Sequence, residues 1–274
     1  MPRYAALLGA SERDPVGVAG DADRRALRRE TLLVLGVSLG AAAIRAVLQI
    51  VDRLTRPVPL AGQTAAMNTA VTPDRPWLDL AYQLANIALA LVPVLLALHL
   101  LGRLASPGGS RSPTRFLGLD WRKPAADLGW GLALAALVGI PGLGLYLAAR
   151  ALGFNTTVSA ANLTDVWWAV PVLVLAAVQN AVLEEVIMVG YLFTRWRQIG
   201  WSWPVVLGVS AVIRGTYHLY QGFGGFVGNI AMGLILGLAF LRLRRVVPLV
   251  VCHAALDVVA FVGYTVLRAR GVSF

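Results

Sequence analysis

Six ionisable residues stand inside three of the most apolar stretches of this 274-residue chain. A charge at the centre of a membrane helix costs about 2.5–3.5 kcal/mol, so such residues mark a functional interior by default. We therefore expect them to share one polar site. In chain order they are Glu184, Glu185, Arg214, His218, His253 and Asp257.

The adjacent carboxylates Glu184 and Glu185 suit general-base chemistry, because a glutamate in apolar surroundings can take a proton near neutral pH. Successive residues of a helix point about 100° apart. We therefore expect Glu184 or Glu185 to face a cavity while the other packs against a neighbouring helix. Asn180 stands one turn before Glu184 and is placed to hydrogen-bond with it. A purely structural polar clamp between helices is the alternative.

The two histidine pairs each have four-residue spacing, which places both members on one helix face. Arg214 precedes His218 by one turn, and Asp257 follows His253 by one turn. A carboxylate next to an imidazole can fix its tautomer and orientation. Either histidine alone would be consistent with a simple interhelical hydrogen bond, but three such pairs favour a shared site.

The composition predicts the elements that must position these residues. Hydrophobic residues make up 58% of the chain, charged residues 14%, and the mean hydropathy is +0.70. Soluble domains carry about 25% charged residues. Apolar runs of roughly 20 residues instead predict an all-α, polytopic membrane protein with about seven helices, an eighth being left open. The predicted spans are 31–51, 78–101, 127–149, 167–190, 203–220, 225–241 and 246–267.

The charge distribution predicts the domain organisation and the orientation. Residues 1–30 are polar and are expected to form a flexible cytoplasmic tail, followed by a helical membrane domain over 31–270. With seven spans, sixteen Lys and Arg residues lie on the side of the N-terminus and six on the other. The positive-inside rule then predicts a multi-pass cell-membrane protein with a cytoplasmic N-terminus.

Several other functions are disfavoured. The net charge of +10 is distributed between apolar spans and forms no single basic face, so we expect no nucleic-acid partner. The single cysteine, Cys252, excludes an internal disulfide and a cysteine-rich metal site. No histidine is followed by glutamate, so the HExxH pattern of zinc proteases is absent. A zinc site built from two histidines and a carboxylate is the alternative left open.

The three pairs together resemble the motifs of a known family. The run from Glu184 to Leu192 is similar to the EExxxR motif, followed by Gly-Tyr-Leu, of the CAAX protease and bacteriocin-processing family. This family, also called the type II CAAX prenyl endopeptidase family, contains intramembrane glutamate proteases. Its second motif, FxxxH, ends at His218, and its third, HxxxN or HxxxD, runs from His253 to Asp257. The resemblance covers a protease-like core at about 127–268.

The resemblance implies a role for each matching residue. Glu184 would be the base that activates water, and His218 would help to hold that water. His253 and Asp257 would stabilise the oxyanion, and Glu185 would support the site. No metal or other cofactor is implied.

Two positions depart from the family pattern. The motif arginine is Val189 here, and the motif phenylalanine is Arg214. One cation is lost from the fourth span and one is gained on the fifth. An unpaired buried charge is strongly unfavourable. We therefore predict that Glu185 and Arg214 form an interhelical ion pair that supports Glu184.

The function predicted from these observations is an intramembrane endopeptidase that hydrolyses a peptide bond of a membrane-associated protein or peptide. The alternative is a nonproteolytic relative, such as a membrane scaffold or a bacteriocin self-immunity protein. A transporter with a midplane site would be expected to show internal pseudo-symmetry, which the sequence lacks. The sequence predicts neither the substrate nor the oligomeric state.

Overall fold

The computed structural model describes residues 20–103, 112–163 and 165–271. The chain there is almost entirely helical, with two short strands in the connections. The helices are α1 (Asp21–Gly36), α2 (Leu39–Leu54), α3 (Pro76–Ala90), α4 (Val92–Arg103), α5 (Pro113–Phe116), α6 (Pro124–Ala151), α7 (Ala169–Glu184), α8 (Leu192–Gln198), α9 (Trp203–Tyr217), α10 (Phe223–Leu243) and α11 (Val247–Ala269). A π-helical segment, Glu185–Tyr191, joins α7 to α8, and 3₁₀ turns occupy Leu60–Gly62 and Leu219–Gln221.

Five helices in the described part of the chain are long and apolar enough to cross a membrane. They are Pro76–Arg103, Pro124–Ala151, Ala169–Gln198, Phe223–Leu243 and Val247–Ala269. The pair α1 and α2 adds a sixth if it counts as one span, although it bends by 56°. The expected span 203–220 is the 15-residue helix α9, which is shorter than a full crossing. The protein is thus a multi-pass membrane protein, and the expected count of seven is not reached by helix length alone.

The N-terminal region differs from the expected tail. Helix α1 begins at Asp21, so residues 21–30 are helical, while residues 1–19 lie outside the described residues. One face of α1 is buried through Leu27, Thr31 and Val34, a spacing of four and three residues. Of these three buried residues only Leu27 lies in the polar stretch 1–30, so the apolar periodicity there was too sparse to predict a helix. At the following bend, a Cβ on Gly40 would lie 2.7 Å from the Leu35 carbonyl oxygen.

The helix that carries the two glutamates is the centre of the bundle. All seven residues of the π segment Glu185–Tyr191 are buried, and α8 continues with buried Leu192 and Phe193. The other four long spans present much of their surface outward. A π segment inserts a wider turn into a helix and is frequent at functional sites. Here it begins directly after Glu184.

Contacts between the connections group them at two ends of the bundle. At one end the strands β1 (Thr64–Ala66) and β2 (Thr157–Ser159) pair in parallel and join the connections 55–75 and 152–168. This small sheet was not expected of an all-α chain, because three-residue strands in polar loops have no clear pattern. At the other end Arg245 binds Asp120 and Asp127, which joins the connections around 117–123 and 244–246.

Candidate active site

Four elements bring the sequence-predicted polar residues together. Glu184 ends α7 and Glu185 begins the π segment. Arg214 lies in the last turn of α9, and His218 follows that helix directly. His253 and Asp257 lie one turn apart in the first half of α11.

Glu185 is the hub of the cluster. Its Oε1 accepts a hydrogen bond from Arg214 Nη2 at 2.7 Å and lies 2.8 Å from His253 Nδ1. The Glu185 side chain is fully buried, and that of Arg214 is 1% exposed. The predicted interhelical pair between Glu185 and Arg214 is therefore confirmed. It places a cation next to the glutamates although Val189 cannot supply one.

Glu184 is held from one side and open on the other. Its Oε2 accepts a hydrogen bond from the Tyr217 hydroxyl at 2.6 Å and lies 3.5 Å from Arg214 Nη1. Its side chain retains 10% exposure, whereas that of Glu185 has none. Glu185 thus packs against the neighbouring helices α9 and α11, as expected for one of the two carboxylates, and Glu184 is the more exposed of the two. Both nevertheless reach the same guanidinium, because the helix turns into the π segment between them.

His218 faces the free oxygen of Glu184. The distance from His218 Nε2 to Glu184 Oε1 is 3.9 Å, which is too long for a direct hydrogen bond. On the other side of the ring, Gln221 Nε2 lies 3.5 Å from His218 Nδ1. An amide N–H directed at Nδ1 favours the tautomer with the proton on Nε2. His218 Nε2–H would then point towards Glu184.

The turn that carries His218 is fixed by the connection 152–168. The backbone N–H and the hydroxyl of Thr156 both donate to the Gln221 carbonyl oxygen at 2.9 Å. Gly222 follows with a φ of +115°, and a Cβ there would lie 2.7 Å from the Phe154 carbonyl oxygen. Only glycine suits both the backbone conformation and this close approach.

The third motif lies on the far side of Glu185. His253 Nε2 is 3.8 Å from Asp257 Oδ2, so the two groups are close but not directly bonded. Asn180 was expected to hydrogen-bond with Glu184, and this expectation is wrong. The Glu184 carboxylate is directed instead towards Tyr217 and Arg214 on α9.

Residues 166–259 match the family described as Type II CAAX prenyl endopeptidase Rce1-like. This segment is similar to that family's domain, and we refer to residues 166–259 as the Rce1-like domain. The match covers about a third of the chain, from the start of α7 into α11, and includes all three motifs. The resemblance inferred from the motifs is thereby confirmed, and it relates the chain to a family of proteases. No curated protein and no solved structure matches the chain.

Four buried side-chain polar atoms of the Rce1-like domain have no hydrogen-bond partner among the described residues: Glu185 Oε2, Arg197 Nε, Arg214 Nη1 and His218 Nε2. Buried polar atoms are normally satisfied, and each exception needs an explanation. All of them except Arg197 Nε belong to the cluster around Glu184. The unused hydrogen-bonding capacity indicates a place for water or for a polar group of a ligand.

The same cluster includes a possible metal-ligand set. Glu184, Glu185 and His253 each offer one ligand atom within 4.8 Å of the others. The guanidinium of Arg214 binds Glu185 at 2.7 Å and approaches Glu184 at 3.5 Å. A divalent cation on these atoms would lie next to a permanent positive charge. The residues of the Rce1-like domain therefore fit a metal ion poorly.

Two site residues had only weak signals in the sequence. Tyr217 and Gln221 lie one residue before and three residues after His218 in the chain, and neither is a defined position of the three motifs. In the structure, Tyr217 binds the candidate base and Gln221 approaches the His218 ring. Their proximity to the motif histidine was the only available signal.

Proposed function

We propose that the chain is an intramembrane endopeptidase in which Glu184 activates a water molecule. The observation that carries this proposal is the 3.9 Å separation between Glu184 Oε1 and His218 Nε2. A water molecule at this position can accept a hydrogen bond from His218 Nε2–H and donate one to Glu184 Oε1. Tyr217 occupies the other oxygen of Glu184, so Oε1 is the atom that receives the proton.

The reaction then follows the roles of general base and electrostatic stabilisation. Glu184 takes a proton from the water as its oxygen attacks the carbonyl carbon of the scissile peptide bond. The tetrahedral intermediate carries a negative oxygen. When the C–N bond breaks, Glu184 returns the proton to the leaving nitrogen. The products are a new carboxyl terminus and a new amine.

His253 is the candidate donor to the negative oxygen. Its Nδ1 lies 2.8 Å from Glu185, which accepts the Nδ1–H and fixes the orientation of the ring. Donation from Nε2 requires the imidazolium form, which Glu185 and the nearby Asp257 favour electrostatically. An ionised Asp257 cannot donate a hydrogen bond to an oxyanion. Its role in this scheme is to orient and charge His253.

The scheme requires no metal, and we expect none. Purified protein should hold far less than one zinc per chain when elemental analysis follows dialysis against detergent buffer. The permanent charge of Arg214 beside both glutamates is the reason. About one zinc per chain in the wild type, lost in His253→Ala, would favour a metal hydrolase instead.

We also propose seven crossings with a cytoplasmic N-terminus. The connections 55–75 and 152–168 are joined by the sheet, and the turn at 218–222 contacts Asn155, so alternate connections share one end. Connections that alternate between the two ends require the α1–α2 pair to cross the membrane once and α9 to cross it once. Together with the five long spans this gives seven crossings. The opposite end carries most of the Lys and Arg residues. Reporter fusions at both termini test this topology, which requires the C-terminus to be outside.

The proposed activity is tested by comparing new protein termini in membranes that contain the wild type or Glu184→Gln. Glu30→Gln is a matched control, because Glu30 is also a glutamate of a buried ionic cluster but lies outside the site. The proposal expects a set of cleavage products present with wild type and Glu30→Gln and missing with Glu184→Gln. Identical products in all three membranes would reject it.

A nonproteolytic scaffold or immunity protein is the second candidate function, favoured by the departures at Val189 and Arg214. The pair between Arg214 and Glu185 weighs against it, since the cation missing from position 189 is supplied from α9. A nonproteolytic role predicts that Glu184→Gln leaves the cellular phenotype of the chain intact.

A further inference from the structure

We propose that the outer edge of β1 binds the substrate, whose backbone adds to the two-stranded sheet as an extended third strand. This inference rests on the proposed endopeptidase function and names how its substrate is held. The binding group is the peptide backbone around the scissile bond, irrespective of its side chains. Recognition of this kind is known as β-strand addition.

The hydrogen bonds of the sheet show which groups of β1 point outward. Met67 N–H donates to the Ser159 carbonyl, and Thr157 N–H donates to the Gln63 carbonyl. In a parallel ladder, alternate residues of a strand bond to the same neighbour. Residues 63, 65 and 67 therefore face β2, and Thr64 and Ala66 direct their backbone groups to the other side.

The outer edge of β1 is exposed. Thr64 and Ala66 are both exposed, and Ala65 between them is buried. Arg53 Nη1 donates to the Thr64 carbonyl from this side at 3.2 Å. Within the described ranges, no side chain or neighbouring loop hydrogen-bonds with the N–H or C=O of Ala66. An exposed edge with unpaired backbone groups is a template for another strand.

The outer edge of β2, in contrast, is covered by helices. The Tyr146 hydroxyl of α6 accepts from Val158 N–H at 3.1 Å, and the Tyr264 hydroxyl of α11 lies 2.9 Å from Ser159 Oγ. The sheet can therefore grow only at β1. This asymmetry makes β1 the candidate docking edge.

Hydrolysis within a membrane protein creates a need for such an edge. The carbonyl groups inside a helix are already hydrogen-bonded and enclosed by the backbone, so a helical substrate must unwind locally before water can attack. Away from bulk water, each N–H and C=O released by unwinding costs several kcal/mol unless it finds a partner. Among the residues that the structure describes, Ala66 N–H, Ala66 C=O and Thr64 N–H have no hydrogen-bond partner, and they lie in one row.

The edge is connected to the candidate active site. Met67 follows β1, and its Sδ lies 3.9 Å from Gln221 Nε2, the same amide that approaches His218 Nδ1. Arg53, which binds the Thr64 carbonyl, also lines a cavity of about 430 Å³ together with Phe154 and Phe223. A strand on β1 would thus run between this cavity and the turn that carries His218.

The test uses Ala66→Pro, with Ala66→Val as its matched control. Proline removes the outward N–H of residue 66 and fills the edge, and it is tolerated where an edge N–H faces away from the ladder. Valine keeps both backbone groups. The probe is a synthetic peptide that spans a bond cleaved by the wild type and not by Glu184→Gln. We expect Ala66→Pro to raise the KM for this peptide about tenfold or more, which corresponds to the loss of one hydrogen bond. Ala66→Val should stay within about twofold.

A second measurement changes the peptide and leaves the protein intact. N-methylation removes one backbone N–H at a time along the probe peptide. Strand addition predicts that KM rises at every second position, because alternate residues face β1. A wild-type KM for Ala66→Pro at equal folded yield, or N-methyl effects without alternation, would overturn the docking edge.

The outcomes also separate this inference from the proposed function. If no cleavage depends on Glu184, the endopeptidase proposal itself fails and no probe peptide is obtained. If Glu184-dependent cleavage is found and Ala66→Pro cleaves with a wild-type KM, only the docking edge is rejected. In that case β1 and β2 serve only to tie the two connections together.

Discussion

Two buried arginines on successive helices are used in opposite ways. Arg195 of α8 and Arg214 of α9 are each 1% exposed. Arg195 donates Nε to Glu30, Nη1 to Gln198 and Nη2 to the Leu100 carbonyl, at 2.7–2.9 Å. Arg214 makes one such bond, from Nη2 to Glu185, and its Nη1 has no hydrogen-bond partner among the described residues.

The difference separates a structural clamp from a reactive site. The Arg195 cluster joins α1, α4 and α8, and the Tyr191 hydroxyl completes it by donating to Glu30 at 2.7 Å. The Arg214 cluster leaves donors and acceptors unused around Glu184. A buried unsatisfied group costs about 1–3 kcal/mol, so a purely structural cluster would be expected to close. The open cluster is therefore the one that we assign to chemistry.

Apart from loss of the base Glu184 itself, the largest expected effect comes from the open atom of His218. His218→Asn removes the Nε2–H that holds the attacking water and should lower kcat/KM about 10²- to 10³-fold, the range for loss of one positioned hydrogen-bond donor. His99→Asn is the matched control, since His99 is exposed on α4 and should leave the rate unchanged. Cleavage of an identified peptide in detergent measures both. Equal rates for His218→Asn and the wild type would remove the distinction between the two clusters.

Arg214→Ala should have the next largest effect. It leaves Glu185 as a buried carboxylate without its cation, which typically costs about 3–5 kcal/mol. We expect a strong loss of folded protein in size-exclusion chromatography and a lower melting temperature. Addition of Val189→Arg should recover part of the yield by returning the cation to the position of the family motif. An Arg214→Ala protein as stable as the wild type would show that the pair is dispensable.

Glu30→Gln tests the closed cluster and should affect stability without affecting the rate. Arg195 keeps its bonds to Gln198 and Leu100 but loses a charged acceptor, a change of about 2 kcal/mol. The melting temperature should fall by about 5 °C. Below that temperature, kcat/KM should equal the wild-type value. A large loss of rate at full folding would mean that the Arg195 cluster also belongs to the catalytic machinery.

The smallest effect is expected in a partly exposed cluster, in which Arg245 binds Asp120 and Asp127. Burial acts to raise the pKa of Asp120, but hydrogen bonds from the Arg122 backbone and the Arg245 guanidinium outweigh it and hold that pKa below its usual range. A carboxyl with a lowered pKa adds stability above its unfolded pKa of about 4 and loses it as pH falls through the folded value. Asp120→Asn should lower the melting temperature by about 1–2 °C at pH 7.

The same variant supplies a pH control. As pH falls below about 4, the Asp120 carboxyl of the unfolded chain takes up a proton first, and the folded one follows at its lowered pKa, so the difference between Asp120→Asn and the wild type should shrink. Melting curves at several pH values between 3 and 7 measure this. A difference that grows as pH falls would have the wrong sign for a lowered pKa.

Much of the site could be predicted from residue types and spacing. The pair between Glu185 and Arg214 followed from one missing cation at position 189 and one additional cation on the helix of His218. Such a prediction is possible because a buried carboxylate has few ways to be neutralised. The all-α membrane architecture followed from apolar runs, although α9 is shorter than its predicted span and the first span begins at Asp21 and bends between α1 and α2.

Other features depend on tertiary contacts that local sequence does not encode. The π segment at Glu185 has no residue signature of its own, and it lets both glutamates reach Arg214. Asn180 shares a helix face with Glu184, but the Glu184 carboxylate is directed towards Tyr217 and Arg214 on α9. The pairing of β1 with β2 joins residues far apart in the chain through two unremarkable polar loops. Helix periodicity predicts on which face of its helix a residue lies, but it does not predict which residue of another helix it contacts.

The central claim is that Glu184 is the base of a metal-independent hydrolysis. The most direct measurement is kcat/KM for one identified peptide with purified wild type, Glu184→Gln and Glu30→Gln, in lipid nanodiscs with EDTA. Our account predicts full activity for the wild type, unchanged activity for Glu30→Gln, and a loss of about 10³-fold or more for Glu184→Gln at equal folded yield. Comparable cleavage by Glu184→Gln, or wild-type activity that EDTA abolishes and zinc restores, would contradict it.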